Sequence, residues 1–163
     1  MDHVLFKLAI AATFLACTNL SFAVEKSTEA EAIALLQKAQ EYLKKNGLQK
    51  SIIEFNRLDS PFNTYSDINK KGDLYLFSVD SKGFQSVHGK NPKIRGKVMV
   101  DMRDIDGVYL IQDFIKICFK TKEGKGWTSY RWPNPVTKEV EAKRGYVEKI
   151  PGMDLCLGTG IYK

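Results

Sequence analysis

The stretch Gly126–Pro135, GWTSYRWPNP, constrains the fold more than any other part of this chain. Thr128, Tyr130 and Trp132 alternate with Trp127, Ser129 and Arg131, which is the period of a β-strand. One face of that strand therefore carries a Tyr–Trp pair. Pro133 and Pro135 end the ladder, because proline has no amide hydrogen to donate. Tyr and Trp combine a flat apolar body with a polar edge, which suits either a hydrogen-bonded core or the wall of a small-molecule pocket.

The rest of the chain supplies partners for such a strand. Thr28 to Asn46 reads as a helix: Thr28 and Glu31 form a capping box, and Ala32, Leu35, Leu36, Ala39, Tyr42 and Leu43 make one apolar stripe. Gly47 is a natural stop, and Leu48 to Leu58 continues as a shorter helix. Asp73 to Asp80 reads as an apolar strand, Asp80 to Gly83 as a turn, and Phe84 to His88 as the return strand. An irregular loop over 89–97 leads to a short apolar run, Val98 to Met102. Asp104 to Thr121 reads as a second long helix, with Asp104 and Asp106 at its positive end. Lys143 to Ile150 and Asp154 to Tyr162 are the last strands, joined at Pro151-Gly152. The expected class is α+β, with a sheet of about five strands, largely antiparallel, and helices packed over it.

Length and composition fit one exported domain. The sequence has 163 residues, 44% of them hydrophobic and 27% charged, enough for a core without staples. Lys7, the apolar run LAIAATFLA and the small residues around Ser21-Phe22-Ala23 have the order of a signal peptide cleaved after Ala23. The expected division is a leader over 1–23 and one domain over 24–163, periplasmic or secreted. Lipid attachment at Cys17 is the alternative. Removing the leader leaves Cys118 and Cys156. Their spacing does not demand a bridge, and the expectation is two buried free thiols, with geometry deciding. The net charge of +6 is spread along the chain without a nucleic-acid-binding pattern, so nucleic acid is not an expected partner.

The residue inventory disfavours catalysis. Beyond the leader His88 is the sole histidine, so neither a zinc spacing nor a supported nucleophile–base set can be built. No cofactor and no metal are expected. A binding site is easier to assemble. Tyr130 and Trp132 form a wall, His88 ends a strand at a loop, and Lys143 opens the next strand. An imidazole, a phenol and an ammonium around an apolar hollow suit a short carboxylate.

Taken in order, these pieces resemble the single Cache domain of the second type, an extracytoplasmic sensor module with a PAS-like sheet and a long N-terminal helix. The resemblance is carried by Phe55-Asn56, DLYLFSVDSKG at 73–83, His88, NPKIRGK at 91–97 and DIDG at 104–107. GWTSYRWPNP, Lys143 with Tyr146-Val147, and LGTGIY at 157–162 complete it. It implies ligand sensing without turnover: a small anionic metabolite, often a short organic acid, held on one face of the sheet. The positions matching the pocket side are His88, Tyr130, Trp132 and Lys143, with Tyr75 and Arg95 as further candidates. It also implies a membrane sensor kinase or chemoreceptor as signalling partner. Two alternatives stand beside it. One is an interaction subunit with a degenerate pocket, docking through an apolar strip on residues 28–46. The other is a small hydrolase or isomerase using His88.

Overall fold

A computed structural model of the chain describes residues 25–163. The expected leader over 1–23 and the alternative at Cys17 lie outside the described residues. Helices α1 (Glu29–Asn46) and α2 (Leu48–Asn56) come first. The capping box forms as the sequence requires: Glu31 N donates to Thr28 Oγ1, and Thr28 N donates to Glu31 Oε2 at 2.7 Å. Strands β1 (Phe77–Val79) and β2 (Phe84–Gln85) follow, then β3 (Lys97–Val98) and α3 (Leu110–Lys120). β4 (Lys125–Pro133), β5 (Val140–Lys149) and β6 (Cys156–Tyr162) end the chain. The main sheet has four antiparallel strands in the order β1-β6-β5-β4, and β2 and β3 pair as a separate short ribbon. This is the expected α+β, PAS-like architecture.

Each face of the sheet has its own core. The stripe Ala32, Leu35, Leu36, Ala39 and Leu43 of α1 packs with Tyr146, Leu157 and Ile161. Each such large apolar side chain contributes roughly 1.5–3 kcal/mol by leaving water. The strip that docking through residues 28–46 would need is therefore turned into the protein. On the other face Ile111, Phe114, Ile115 and Cys118 of α3 pack with Phe77, Tyr130 and Val147.

Five local readings change. The helix expected from Asp104 begins only at Leu110. The Asp104 carboxylate accepts from the amides of Asp106 and Val108 (2.9 and 2.8 Å), folding a turn in which Gly107 takes φ +84°. A side chain that satisfies backbone amides in this way competes with helix. The other oxygen of Asp104 accepts from Arg131 N at 2.7 Å, fastening the turn to the edge of β4. The strand expected over 73–80 is regular only at 77–79, and the one expected from Asp154 starts at Cys156. Lys143 lies inside β5 instead of opening it, because the strand begins at Val140 opposite Pro133. Cys118 and Cys156 are joined in a disulfide between α3 and β6, with their Cα atoms 6.2 Å apart, and not left as free thiols.

Candidate functional site

Strand register builds the site. Lys143 stands opposite Tyr130 of β4 on one side and Tyr162 of β6 on the other. Side chains opposite each other in an antiparallel ladder share a face, so these three form one row. Tyr75, just before β1, lies alongside: the Lys143 Nζ atom is 3.7 Å from the centre of its ring and 4.6 Å from that of Tyr162. The row lies flat because glycines floor it. A Cβ on Gly160 would come 2.8 Å from Lys143 Cε, and one on Gly145 would come 2.9 Å from the Tyr130 ring and hydroxyl.

Lys143 is 1% exposed, yet its one hydrogen bond is to the Tyr162 hydroxyl at 3.4 Å. None of the ion pairs among the described residues involves it. Burial pushes its amine well below the ordinary lysine range, with distant Asp73 pulling the other way. Burial also raises the phenols of Tyr75 and Tyr130 well above their usual value, so both stay neutral donors.

His88 closes one end. Its ring is 5.1 Å from Tyr75 and 6.1 Å from Trp132, centre to centre. Its Nδ1 atom accepts from the amides of Asn91 and Lys90 at 2.9 and 3.3 Å, which leaves the proton on Nε2. Burial, then the charges of Lys143 and Arg95, lower its pKa to about 3. The imidazole is thus a neutral donor whose basic nitrogen is already occupied, a poor general base near neutral pH. The hydroxyl nearest to it in the chain, Ser86, is hydrogen-bonded to Ser78 Oγ at 2.8 Å.

Tyr75, Gln85, His88, Phe114, Tyr130 and Trp132 are among the walls of a small cavity, which Lys143 adjoins behind Tyr75 and Tyr130 without lining it. Its volume is about 20 Å³, room for a single water. Tyr75, His88 and Trp132 also form the inner wall of an outer cleft that carries Lys90 and Lys138. These three rings are the partition between cleft and cavity. Gln85 is 1% exposed, and its Nε2 has no hydrogen-bond partner among the described residues. Arg95 stands behind His88, donating from Nε to the His88 carbonyl at 2.8 Å, with its Nη2 buried and unpartnered.

Five of the six residues singled out from sequence thus meet in one cluster: Tyr75, His88, Tyr130, Trp132 and Lys143. Arg95 touches it through the backbone. Sequence reasoning missed Tyr162, Gln85 and the glycine floor. Tyr162 was within reach, because pairing the last two strands across Pro151-Gly152 sets it opposite Lys143. Gln85 lies in a two-residue strand and leaves no periodic signal. Among the described residues no group of His, Cys, Asp and Glu has the arrangement to hold a metal ion. The site collects hydrogen-bond donors and one amine in an apolar setting, and buried donors without acceptors are costly unless a ligand supplies them.

Comparison with known proteins agrees with this architecture. The family model for the Cache domain matches residues 24–163. Over 99 residues the chain is 30% identical to the sensor histidine kinase MctS of Rhizobium johnstonii, a match covering 61% of this chain and 20% of that protein. The chain therefore spans about a fifth of the length of that curated relative. A methyl-accepting chemotaxis protein from Vibrio parahaemolyticus superposes with a TM-score of 0.63 at 25% identity, covering 82% of this chain and 86% of that one. A Cache chemosensory domain solved to explain carboxylic acid recognition superposes with a TM-score of 0.57 at 25% identity, covering 78% and 83%. The four-stranded sheet, the long N-terminal helix and the match over essentially every described residue lead to one assignment: the chain belongs to the Cache domain family, in its second type.

Proposed function

We propose that this protein is an extracytoplasmic sensor domain that binds a short carboxylic acid in the cavity beside Lys143. The observation that carries the reading is the buried amine of Lys143, set between two phenol rings with no acidic partner among the described residues. A carboxylate supplies the missing counter-charge, and a desolvated charge-assisted hydrogen bond of that kind contributes roughly 1.5–3 kcal/mol. Tyr130, Tyr75 and Trp132 shape the apolar part, and His88 Nε2 and the Gln85 amide offer further donors. Lys90 and Lys138 in the outer cleft favour the approach of an anion. Because the cavity holds one water, the acid is admitted by parting the partition of Tyr75, His88 and Trp132. The likeness to a Cache domain that recognises carboxylic acids supports the ligand class.

The same reading makes residues 1–23 an export leader and gives the domain a chemoreceptor or a sensor kinase as the protein that reads its state. Likeness to proteins of both kinds supports that class of partner. Among the described residues no helix is long and apolar enough to cross a membrane.

The two tryptophans permit a direct test. Trp132 faces the cavity, whereas Trp127 packs against the α1 side. In a titration with acetate, propionate and butyrate followed by NMR, the Trp132 indole resonance should move saturably while that of Trp127 stays. Equal movement of both, or of neither with any of the acids, counts against the site.

A further inference from the structure

The surroundings of Lys143 have a consequence for how the site is charged when empty and when filled. Each element packed against the amine brings groups that titrate or carry charge. Tyr130 comes from β4 and Tyr162 from β6. Tyr75 and Asp73 come from the segment before β1, and His88 from the loop after β2. Glu141 lies two residues away on β5. Neither acid reaches the amine. Asp73 accepts from the amide and hydroxyl of Ser27 at 2.9 and 2.5 Å, and Glu141 is paired with Lys26 at 2.9 Å. The phenols are neutral, and His88 holds its proton on Nε2. What touches Nζ is two aromatic faces and one hydroxyl at 3.4 Å.

Two π faces attract a cation by about 2 kcal/mol each when desolvated, but they bring no counter-charge against the several kcal/mol that removing an ammonium from water costs. With no carboxylate in contact, the uncharged amine is the cheaper occupant of the empty site. An acid anion that enters the cavity and reaches Nζ past the Tyr75 ring reverses that balance, since it makes the ammonium one half of a buried pair. We propose that binding of an acid anion draws one proton from solution onto Lys143, so that the lysine carries charge only when the site is filled. The balance is simple: a carboxylate, a neutral amine and one solvent proton become a carboxylate–ammonium pair. No bond to carbon changes. The depressed lysine basicity supports the same direction. The inference rests on the carboxylate-binding reading above and adds a coupling to it: the sensor reads the acid and the proton together, and responds more weakly as its surroundings turn alkaline.

Titration calorimetry of the whole protein with acetate, propionate and butyrate tests this in HEPES and in Tris, buffers with different ionisation enthalpies, at about pH 8. The apparent heat should differ between them by the difference in ionisation enthalpy for one proton per site. Kd should rise about tenfold per pH unit above neutrality, the slope for uptake of one full proton. Lys143→Arg, which keeps its charge throughout this range, should remove both effects where it folds. His88→Gln should leave the proton count of any acid it still binds at one. Binding with equal heats in both buffers and a flat Kd overturns the proton coupling while leaving the carboxylate site standing. No heat with any of the three acids from a folded protein overturns the binding reading and the coupling with it. Should the arginine variant not fold, the two-buffer comparison on the unaltered protein decides alone.

Discussion

His88 shows how a buried ring is held to one protonation state by its neighbours. Two backbone amides point at Nδ1, and the surrounding rings exclude the water that would stabilise an imidazolium. Its folded pKa is about 3 against an ordinary 6.5. Between those values the unfolded chain binds a proton that the folded one refuses, so stability falls as pH falls through that window. The slope is about 1.4 kcal/mol per pH unit at most for one group. Denaturant unfolding between pH 6.5 and 5, where most carboxylates are still ionised, should show this loss. His88→Gln should lessen it, and an unchanged slope would mean that the ring titrates normally. The sequence placed His88 beside the loop, but the strand expected over 84–88 ends at Gln85, and His88 keeps only a single bridge to Phe77. Its protonation state was not legible, because what sets it is the pair of backbone amides at Nδ1 and burial among rings from distant parts of the chain. Gln85 was illegible for a related reason: nothing in its surroundings in the chain marks one glutamine as buried and unpartnered.

Among the elements, the regular ones were the readable ones. The capping box and stripe of α1 gave its bounds closely, and β4 was plain from its alternation and its prolines. The segment from 86 to 109 was not readable, and its hydrogen bonds say why. Val87 N donates to Ser78 Oγ and His88 N to Asn56 Oδ1. Backbone groups satisfied by side chains far away in the chain leave no period in the local sequence. The turn at Asp104 belongs to the same class, which is how acids that look like a helix start came to hold a loop instead. The glycine floor acts at this scale as well. Gly145→Ala sets a methyl 2.9 Å from the Tyr130 ring and 3.1 Å from that of Phe114. Both rings must shift, at a cost of roughly 1–3 kcal/mol for overpacking. Acid affinity should fall at least tenfold while the protein still folds, as calorimetry and a thermal melt together would show. Undiminished affinity would place the ligand away from this face.

Across the whole molecule the sheet separates two cores. One face is closed by α1, whose apolar stripe fixes the N-terminal segment to β6. The other carries the aromatic row, the buried amine and the cavity, with α3 fastened to β6 by the disulfide. A change at Tyr75 is also one step from α1, because Asp73 holds Ser27 just before that helix. A site that parts its walls to admit a ligand therefore has a short physical route to the N-terminal segment. Titration calorimetry with acetate, propionate and butyrate, comparing the unaltered protein with Lys143→Met, tests the central claim most directly. The unaltered protein should bind at least one of these acids saturably at one site. The variant should fold, lose that heat by a hundredfold or more in affinity, and melt higher when empty, because a buried amine without a partner costs roughly 1–3 kcal/mol. Binding of equal strength in both proteins would contradict the account.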